Sequence, residues 1–300
     1  MGTPEFARKP LERLYEDGHD IAGVFTQADK PKNRGMKTSA GPVKELALSH
    51  GTPVFQPATL KDGEALRILT ELRCDMITVV AYGKMLPKEI LELPPFGCIN
   101  IHGSLLPKYR GAAPIQHAII NGETETGVTS QYMAEEMDAG DILYTKKTSI
   151  SETDTSADLF GRLSLLGAEL LSETVFAVSS GEAVRIPQDR SEATYAPLLT
   201  REMSPVDWSD TPFNIRRKVN GLNPWPAASA VFDDVNIKIY AVDIREGATG
   251  HKNGDIISAG QHGLEIACSG GSVIIKEMQA PNGKRMSVAE YIRGRPSWLR

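Results

Sequence analysis

Apolar and polar positions switch repeatedly between two periods along the first half of the chain. TPEFARKPLERLYEDG (3–18) has helical spacing, with Thr3 as N-cap, Pro4 at the first helical position and Gly18 to close it. IAGVFT (21–26) and DMITVVA (75–81) are β-branched apolar runs suited to strands buried on both faces. Between them the pattern predicts a helix from Pro42 to near Gly51, a short PVF strand and a helix near 63–73. GCINIH (97–102) is another buried strand, and a helix follows over 111–121. Strand and helix in alternation predict an α/β fold with a mostly parallel sheet and right-handed crossovers.

Further on, TGVTSQYMA and DILYTKKTSI alternate as a later pair of strands. A long helix is expected over 155–179, capped from Thr153, Asp154 or Thr155. Its core face comprises Leu159, Phe160, Leu163, Leu166, Leu170 and Leu171. Residues 182–200 lack periodicity and are expected to be a linker between domains at 1–181 and 201–300. In the second domain a helix starts at Thr211-Pro212 and ends at Gly221. ASAVF, NIKIYAVDI, GDIISA, GLEIAC and SVIIKEM then follow at short spacing with glycine-bearing turns, as in a small β-barrel or sandwich.

Composition narrows the class. With 41% hydrophobic and 24% charged residues, the chain is an ordinary globular protein of two domains. Cys74, Cys98 and Cys268 are far apart and form no C-x-x-C pair, which argues for a reducing compartment and against a disulfide scaffold or zinc site. No apolar run approaches the roughly 18 residues of a membrane span and no secretory pattern opens the chain, so a cytoplasmic location is expected. The net charge of −5 divides unevenly: residues 201–300 hold 13 Lys and Arg against 11 Asp and Glu. A mildly basic third on an acidic body hints at an anionic partner, although a solvated surface accounts for it as well.

The chemistry-bearing stretch is CINIHGSLLPKYRGAAPIQHAI (98–119), where a short apolar strand runs into Asn100, His102 and Ser104. A G-x-G-x-x-G turn, a P-loop and H-E-x-x-H are all absent, which removes the common dinucleotide, nucleotide and zinc readings. Period two sends Asn100 and His102 to one face, at the carboxyl end of a strand, where open α/β sheets bind ligands. An Asn amide can donate to a developing oxyanion, and His can carry a proton near neutrality. EEMDAGDIL (135–143) offers Asp138, just before a glycine turn, to orient the imidazole. Taken singly, N-x-H is more often a satisfied structural pair and D-A-G-D merely a turn.

Together they resemble a known family. NIHGSLLPKYRGAAPIQHAI with MDAGDIL is similar to the signature of the folate-dependent formyltransferases, Asn-x-His-x-Ser-Leu-Leu-Pro with an Asp about 36 residues on. GTPEFA, PVFQP, AYGKMLP, TYAPLLTREMSPVDW and NPWPAA extend the resemblance over nearly the whole chain, toward the bacterial branch acting on initiator tRNA. The resemblance implies a Rossmann-like first domain and a C-terminal barrel of the OB type. It further implies formyl transfer from 10-formyltetrahydrofolate, as co-substrate and without a metal, to the amino group of methionyl-tRNA. Asn100, His102 and Asp138 are then the catalytic residues, and Ser104, Leu105, Leu106 and Pro107 lie against the folate. No G-x-S-x-G elbow surrounds Ser104, so it is not expected to be a nucleophile.

DKPKNRGMKTSAG (29–41) carries Lys30, Lys32, Arg34 and Lys37 between a strand and the next helix. Composition alone favours a solvated loop. The resemblance makes it a basic loop that enters the acceptor arm of tRNA, with Arg34 matching the family's arginine. Arg216, Arg217 and Lys218, or Lys284 and Arg285, are further candidates for phosphate contact, whereas Trp225 and Trp298 are expected to pack. A 10-formyltetrahydrofolate hydrolase or a nucleotide-sugar formyltransferase carries the same trio and is the nearest alternative. A non-catalytic tRNA-binding module is a third. The basic loop and the C-terminal domain favour tRNA, and a monomer is expected. Sheets of this type usually begin with an apolar strand, and MGTPEFA is the turn without one, so the natural chain is expected to start upstream of Met1.

Overall fold

The computed structural model describes residues 1–32 and 37–294. In chain order the elements of the first half are α1 (Glu5–Glu16), β1 (Val24–Phe25), β2 (Lys30–Lys32), β3 (Lys37–Ser39), α2 (Pro42–Ser49), β4 (Val54–Phe55), α3 (Glu64–Leu72), β5 (Ile77–Val79), α4 (Lys88–Leu91), β6 (Cys98–His102), α5 (Pro114–Ile120), β7 (Glu125–Tyr132), β8 (Ile142–Ser149) and α6 (Ser156–Ser179). Then come α7 (Pro212–Leu222), β9 (Ala228–Phe232), β10 (Val235–Glu246), β11 (Ile256–Gly260), β12 (Gly263–Cys268), β13 (Gly271–Gln279), β14 (Met286–Ser287) and α8 (Val288–Arg293). They form two compact units. The first is Met1–Pro114, Glu125–Thr148 and Phe160–Ala196; the second is Ile115–Thr124, Ser149–Leu159 and Pro197–Arg300.

Besides the antiparallel pair β2-β3, two sheet pieces make up the first unit: the parallel pair β1-β4 and a four-stranded sheet in the order β5-β6-β7-β8. Strands β5 and β6 run parallel, while β6 and β7 are antiparallel, so the sheet expected to be mostly parallel turns antiparallel at the strand that carries the site. Met1 and Gly2 join the pieces. Gly2 N–H donates to Phe25 O (3.0 Å), Val80 N–H to Met1 O (2.9 Å), and the Met1 amine to Thr78 O (2.6 Å). Burial lowers the pKa of that amine to about 6. Beside it, between β1 and β5, lies a cleft of about 390 Å³ of mixed character, lined by Leu11, Val24, Leu72 and Ile77 and by Asp20 and Arg73 among others.

The helical apolar periods are satisfied as patterned, whereas β7, expected to alternate, is buried throughout 126–131 because α6 covers one face and the loop after β6 the other. Along α6, Leu159, Leu163, Leu170 and Leu171 are fully buried. In α1 the cap is Pro4 rather than Thr3. Helix α7 starts as expected, with Thr211 Oγ1 accepting from Asn214 N–H at 3.3 Å. The second unit holds a six-stranded antiparallel sheet in the order β11-β12-β13-β10-β9, with β14 on β13. Register shifts at Ile239, Ala241 and Val242 let the long strand β10 pair first with β9 and then with β13. Ile237, Ile239, Leu264, Ile266, Val273 and Ile275 form its core with α7 and α8.

Residues 182–200 do not behave as a free linker. Ile186 makes a two-way backbone bridge with Ile142 (2.8 and 2.9 Å), and Arg110 pairs likewise with Thr194 and Ala196 (2.8 and 2.7 Å). Thus 182–196 belongs to the first unit.

Burial pushes the Cys98 thiol up to about 12 and the Cys268 thiol up to about 11, and raises that of half-buried Cys74 as well. The thiolate is the reactive form. Native protein should therefore react slowly with iodoacetamide near pH 8, and first at Cys74. Peptide mapping that finds Cys98 alkylated before Cys74 in folded protein would contradict this.

Candidate active site

Strand β6 divides its residues by period two. Ile99 and Ile101 are buried on one face, while Asn100 and His102 share the other. The antiparallel register sets Asn100 opposite Gln131 and His102 opposite Thr129. Asp138 comes from the turn between β7 and β8. A Cβ on Gly140 would lie 1.9 Å from Tyr132 O, so only glycine lets the chain close so tightly there. Asp138 itself takes a left-handed conformation (φ 52°). Such strain costs roughly 1 kcal/mol or more in a residue with a side chain, and persists only where several contacts over-determine it.

Those contacts converge on its carboxylate. Oδ1 accepts from Gln131 Nε2 (3.2 Å) and Asn100 Nδ2 (3.4 Å) and stands 3.5 Å from His102 Nδ1; Oδ2 accepts from the Gly111 N–H (2.8 Å). On the far side of the ring, His102 Nε2 lies 2.8 Å from Tyr109 O. A carbonyl can only accept, so Nε2 carries a hydrogen and Nδ1 is the nitrogen turned to the carboxylate. Any proton on Nδ1 is thus held between ring and carboxylate. The pair is nearly enclosed, with side-chain exposures of 7% and 14%.

The loop after the strand braces itself. Ser104 Oγ donates to Lys108 O (2.6 Å), Thr129 Oγ1 donates to Ser104 O (2.7 Å), and Leu106 N–H donates to Thr129 Oγ1 (3.1 Å). Ser104 is completely buried and Leu106 nearly so, leaving Leu105 and Pro107 as the half-exposed members of the expected folate-facing set. Ser104 is thus bonded within its own loop and to β7.

The expected loop over 29–41 is, in its described part, an antiparallel hairpin: Lys30 pairs with Ser39 and Lys32 with Lys37. Arg34 lies outside the described residues, as does Trp298. The stem is pinned where Asp29 accepts from Lys44 Nζ (2.6 Å) and Gln56 Nε2 (3.0 Å), bonds that hold the Asp29 carboxyl below its usual range. In the second unit, Arg216 pairs with Glu152 (2.8 Å) and Arg285 with Glu277 (2.6 Å). Lys218 donates to Pro205 O, and burial lowers its pKa. Trp225 is 51% exposed, against the expectation that it packs.

Sequence reasoning missed Arg110, Gln131 and Gln188. Gln131 is a fully buried amide in a strand buried on both faces, so no period-two signal marked it. Arg110 is 1% exposed, and the chain around it bears no mark of that burial.

A family model described as formyl transferase matches residues 1–175, and one described as its C-terminal domain matches 198–296. The chain belongs to the formyl transferase family. Methionyl-tRNA formyltransferase of Acetivibrio thermocellus is 44% identical over 295 residues, spanning 98% of this chain and 95% of that protein. That of Geotalea uraniireducens is 45% identical over 296 residues, 98% and 93% of the two chains. Among solved formyl transferases, an N-formyltransferase from Helicobacter canadensis in complex with folinic acid and dTDP-3-aminofucose has a TM-score of 0.67 at 17% identity, covering 91% of this chain and 96% of that one. At that identity the likeness speaks for the fold alone. Among the described residues, no three or more His, Cys, Asp and Glu gather where they could hold a metal ion, and no helix is long and apolar enough to cross a membrane.

Proposed function

We propose that the chain transfers the formyl group of 10-formyltetrahydrofolate to the free amino group of methionine on initiator tRNA. The observation that carries the chemistry is the convergence of Asn100 and His102 on the Asp138 carboxylate at one strand end. The high-coverage methionyl-tRNA formyltransferase relatives support the acceptor. The folate fits the residues present: an amide donor and a proton-holding pair at the strand end, followed in the next loop by the half-exposed apolar Leu105 and Pro107, suit a flat ring system with one polarised carbonyl. When bound, it supplies an electrophilic formyl carbon.

The chain's own residues supply the rest. Asn100 Nδ2 bears a second hydrogen beyond the one directed at Asp138, and that donor faces the negative charge that builds on the formyl oxygen as the amine attacks. The attacking nitrogen sheds a proton, which Asp138 Oδ1 and His102 Nδ1 hold between them and return to the leaving nitrogen. Enclosure of the pair keeps water from competing for that proton. Lys30, Lys32, Arg34 and Lys37 would meet the acceptor-arm phosphates from a hairpin anchored at Asp29 and Lys44, and the enzyme would act as a cytoplasmic monomer.

Incubation with 10-formyltetrahydrofolate and charged initiator tRNA tests the reading directly: N-formylmethionyl-tRNA is the expected product. Formate release at the same rate without tRNA, or formylation of a nucleotide amino-sugar only, would instead favour the related folate enzymes. Arg34→Ala is expected to weaken turnover of charged tRNA and to reduce the slope of log rate against log salt by about one phosphate contact, with folate affinity unchanged. An equal loss on a minimal aminoacyl substrate without the acceptor stem would refute the phosphate role.

A further inference from the structure

We propose that Gln188 is a positioning residue for the formyl transfer: its side-chain amide clamps the Asp138 turn to the buried Arg110 and so aims the Asp138 carboxylate at His102 and Asn100. The proposal rests on the catalytic reading of Asp138 given above.

The geometry comes from the segment expected to be a linker. Ile186 bridges Ile142 at the start of β8, and two residues further along an extended chain Gln188 returns to the same side, beside the turn that leads into β8. Its Nε2 reaches Asp138 O (2.8 Å) and Gly140 O (2.7 Å), and also stands 3.2 Å from Gln131 Oε1. Its Oε1 accepts from Arg110 Nη2 (2.7 Å) and Nε (3.1 Å). Chemistry dictates that orientation. A guanidinium can only donate and a backbone carbonyl can only accept, so a flipped amide would oppose like with like at both ends. Arg110 is itself fixed, 1% exposed, with its backbone paired to Thr194 and Ala196.

Two carbonyls of a turn held by one amide are a constraint on turn shape. Asp138 sits in that turn with φ 52°, and its side chain accepts from three donors at once while facing His102 Nδ1. Gln131 closes the circuit, since it donates to Asp138 Oδ1 while its Oε1 faces Gln188. A shift of about 1 Å in a catalytic group can cost on the order of 10²-fold in rate, so an aiming residue this close should register in kcat.

Gln188→Glu separates the two arms: a carboxylate still accepts from Arg110 but has no hydrogen for the two carbonyls. Assayed with 10-formyltetrahydrofolate and charged initiator tRNA, this variant should lose about 30- to 100-fold in kcat, with KM for both substrates within about threefold. On an Asp138→Asn background the same change should cost no more than about twofold further, because a residue that acts through Asp138 has nothing left to aim. Wild-type kcat in Gln188→Glu overturns the proposal, and so does a loss that multiplies in full onto Asp138→Asn. Full activity in Asp138→Asn alone removes the underlying catalytic reading, a result read from that variant by itself. If Gln188→Glu does not fold, Gln188→Met passes through the same cycle. Two variants that both fail to fold make Gln188 a purely structural residue, which also overturns the proposal.

Discussion

His102→Ala should lower kcat for formylation of charged initiator tRNA by about 10²- to 10⁴-fold, the range for loss of a positioned proton carrier, while the Kd for the folate changes by less than about threefold. The split follows from where the ring sits. One nitrogen is committed to Tyr109 O at 2.8 Å and the other faces Asp138 at 3.5 Å, so the ring's partners are the proton-holding groups of the site. Its function is therefore in the transition state, where the amine must shed a proton, rather than in ground-state affinity. Asn100→Ala is the companion: loss of a preorganised donor typically costs about 10²- to 10³-fold. Single-turnover rates at saturating folate, beside equilibrium folate binding, decide the matter. A His102→Ala protein that keeps its rate but loses folate affinity would turn the residue into a binding group and end the mechanism.

Replacing Arg110 with methionine should destabilise the first unit by about 2–4 kcal/mol, as charge-assisted bonds are lost and the Gln188 oxygen is left unpaired. The guanidinium is the largest fully buried side chain of the described residues. It donates three times, twice to Gln188 Oε1 and once to Glu136 Oε1 at 3.4 Å. Glu136 is half exposed, so its ion pair with Arg110 is screened and adds little. The bonds to Gln188 carry most of the effect. Methionine is near in length and fills much of the space, which confines the loss to the polar network rather than to a cavity. Denaturant titration, followed by a probe confined to the first unit, should read a lower midpoint with an unchanged slope. A midpoint within error of the parent would mean that the network contributes nothing to stability.

Local patterns carried a great deal of this molecule. A period of two alone put Asn100 and His102 on one face of β6, because successive residues of a strand must point to opposite sides. The helical leucines of α6 and the closely spaced strands of the second unit, separated by glycine-bearing turns, were equally legible, since such elements are decided within a few turns of chain. The meeting of Asp138 with His102 was legible only through the resemblance of the whole signature. Spacing of 36 residues says nothing of distance until β7 turns back antiparallel to β6 and delivers the glycine turn to the strand end.

The support of the site had no such mark. Residues 182–200 are polar, aperiodic and proline-bearing, the composition of a linker. What makes them part of the first unit is backbone pairing, Ile186 with Ile142 and Tyr195 with Arg110, and backbone groups are the same in every residue. Gln188 and Arg110 acquire their partners only once those bridges form, because each finds its complement in a segment 78 positions away. Side-chain periodicity is written into the chain. Which donor meets which acceptor across folded segments is determined only when tertiary packing removes water and leaves each buried polar group only the few partners within reach.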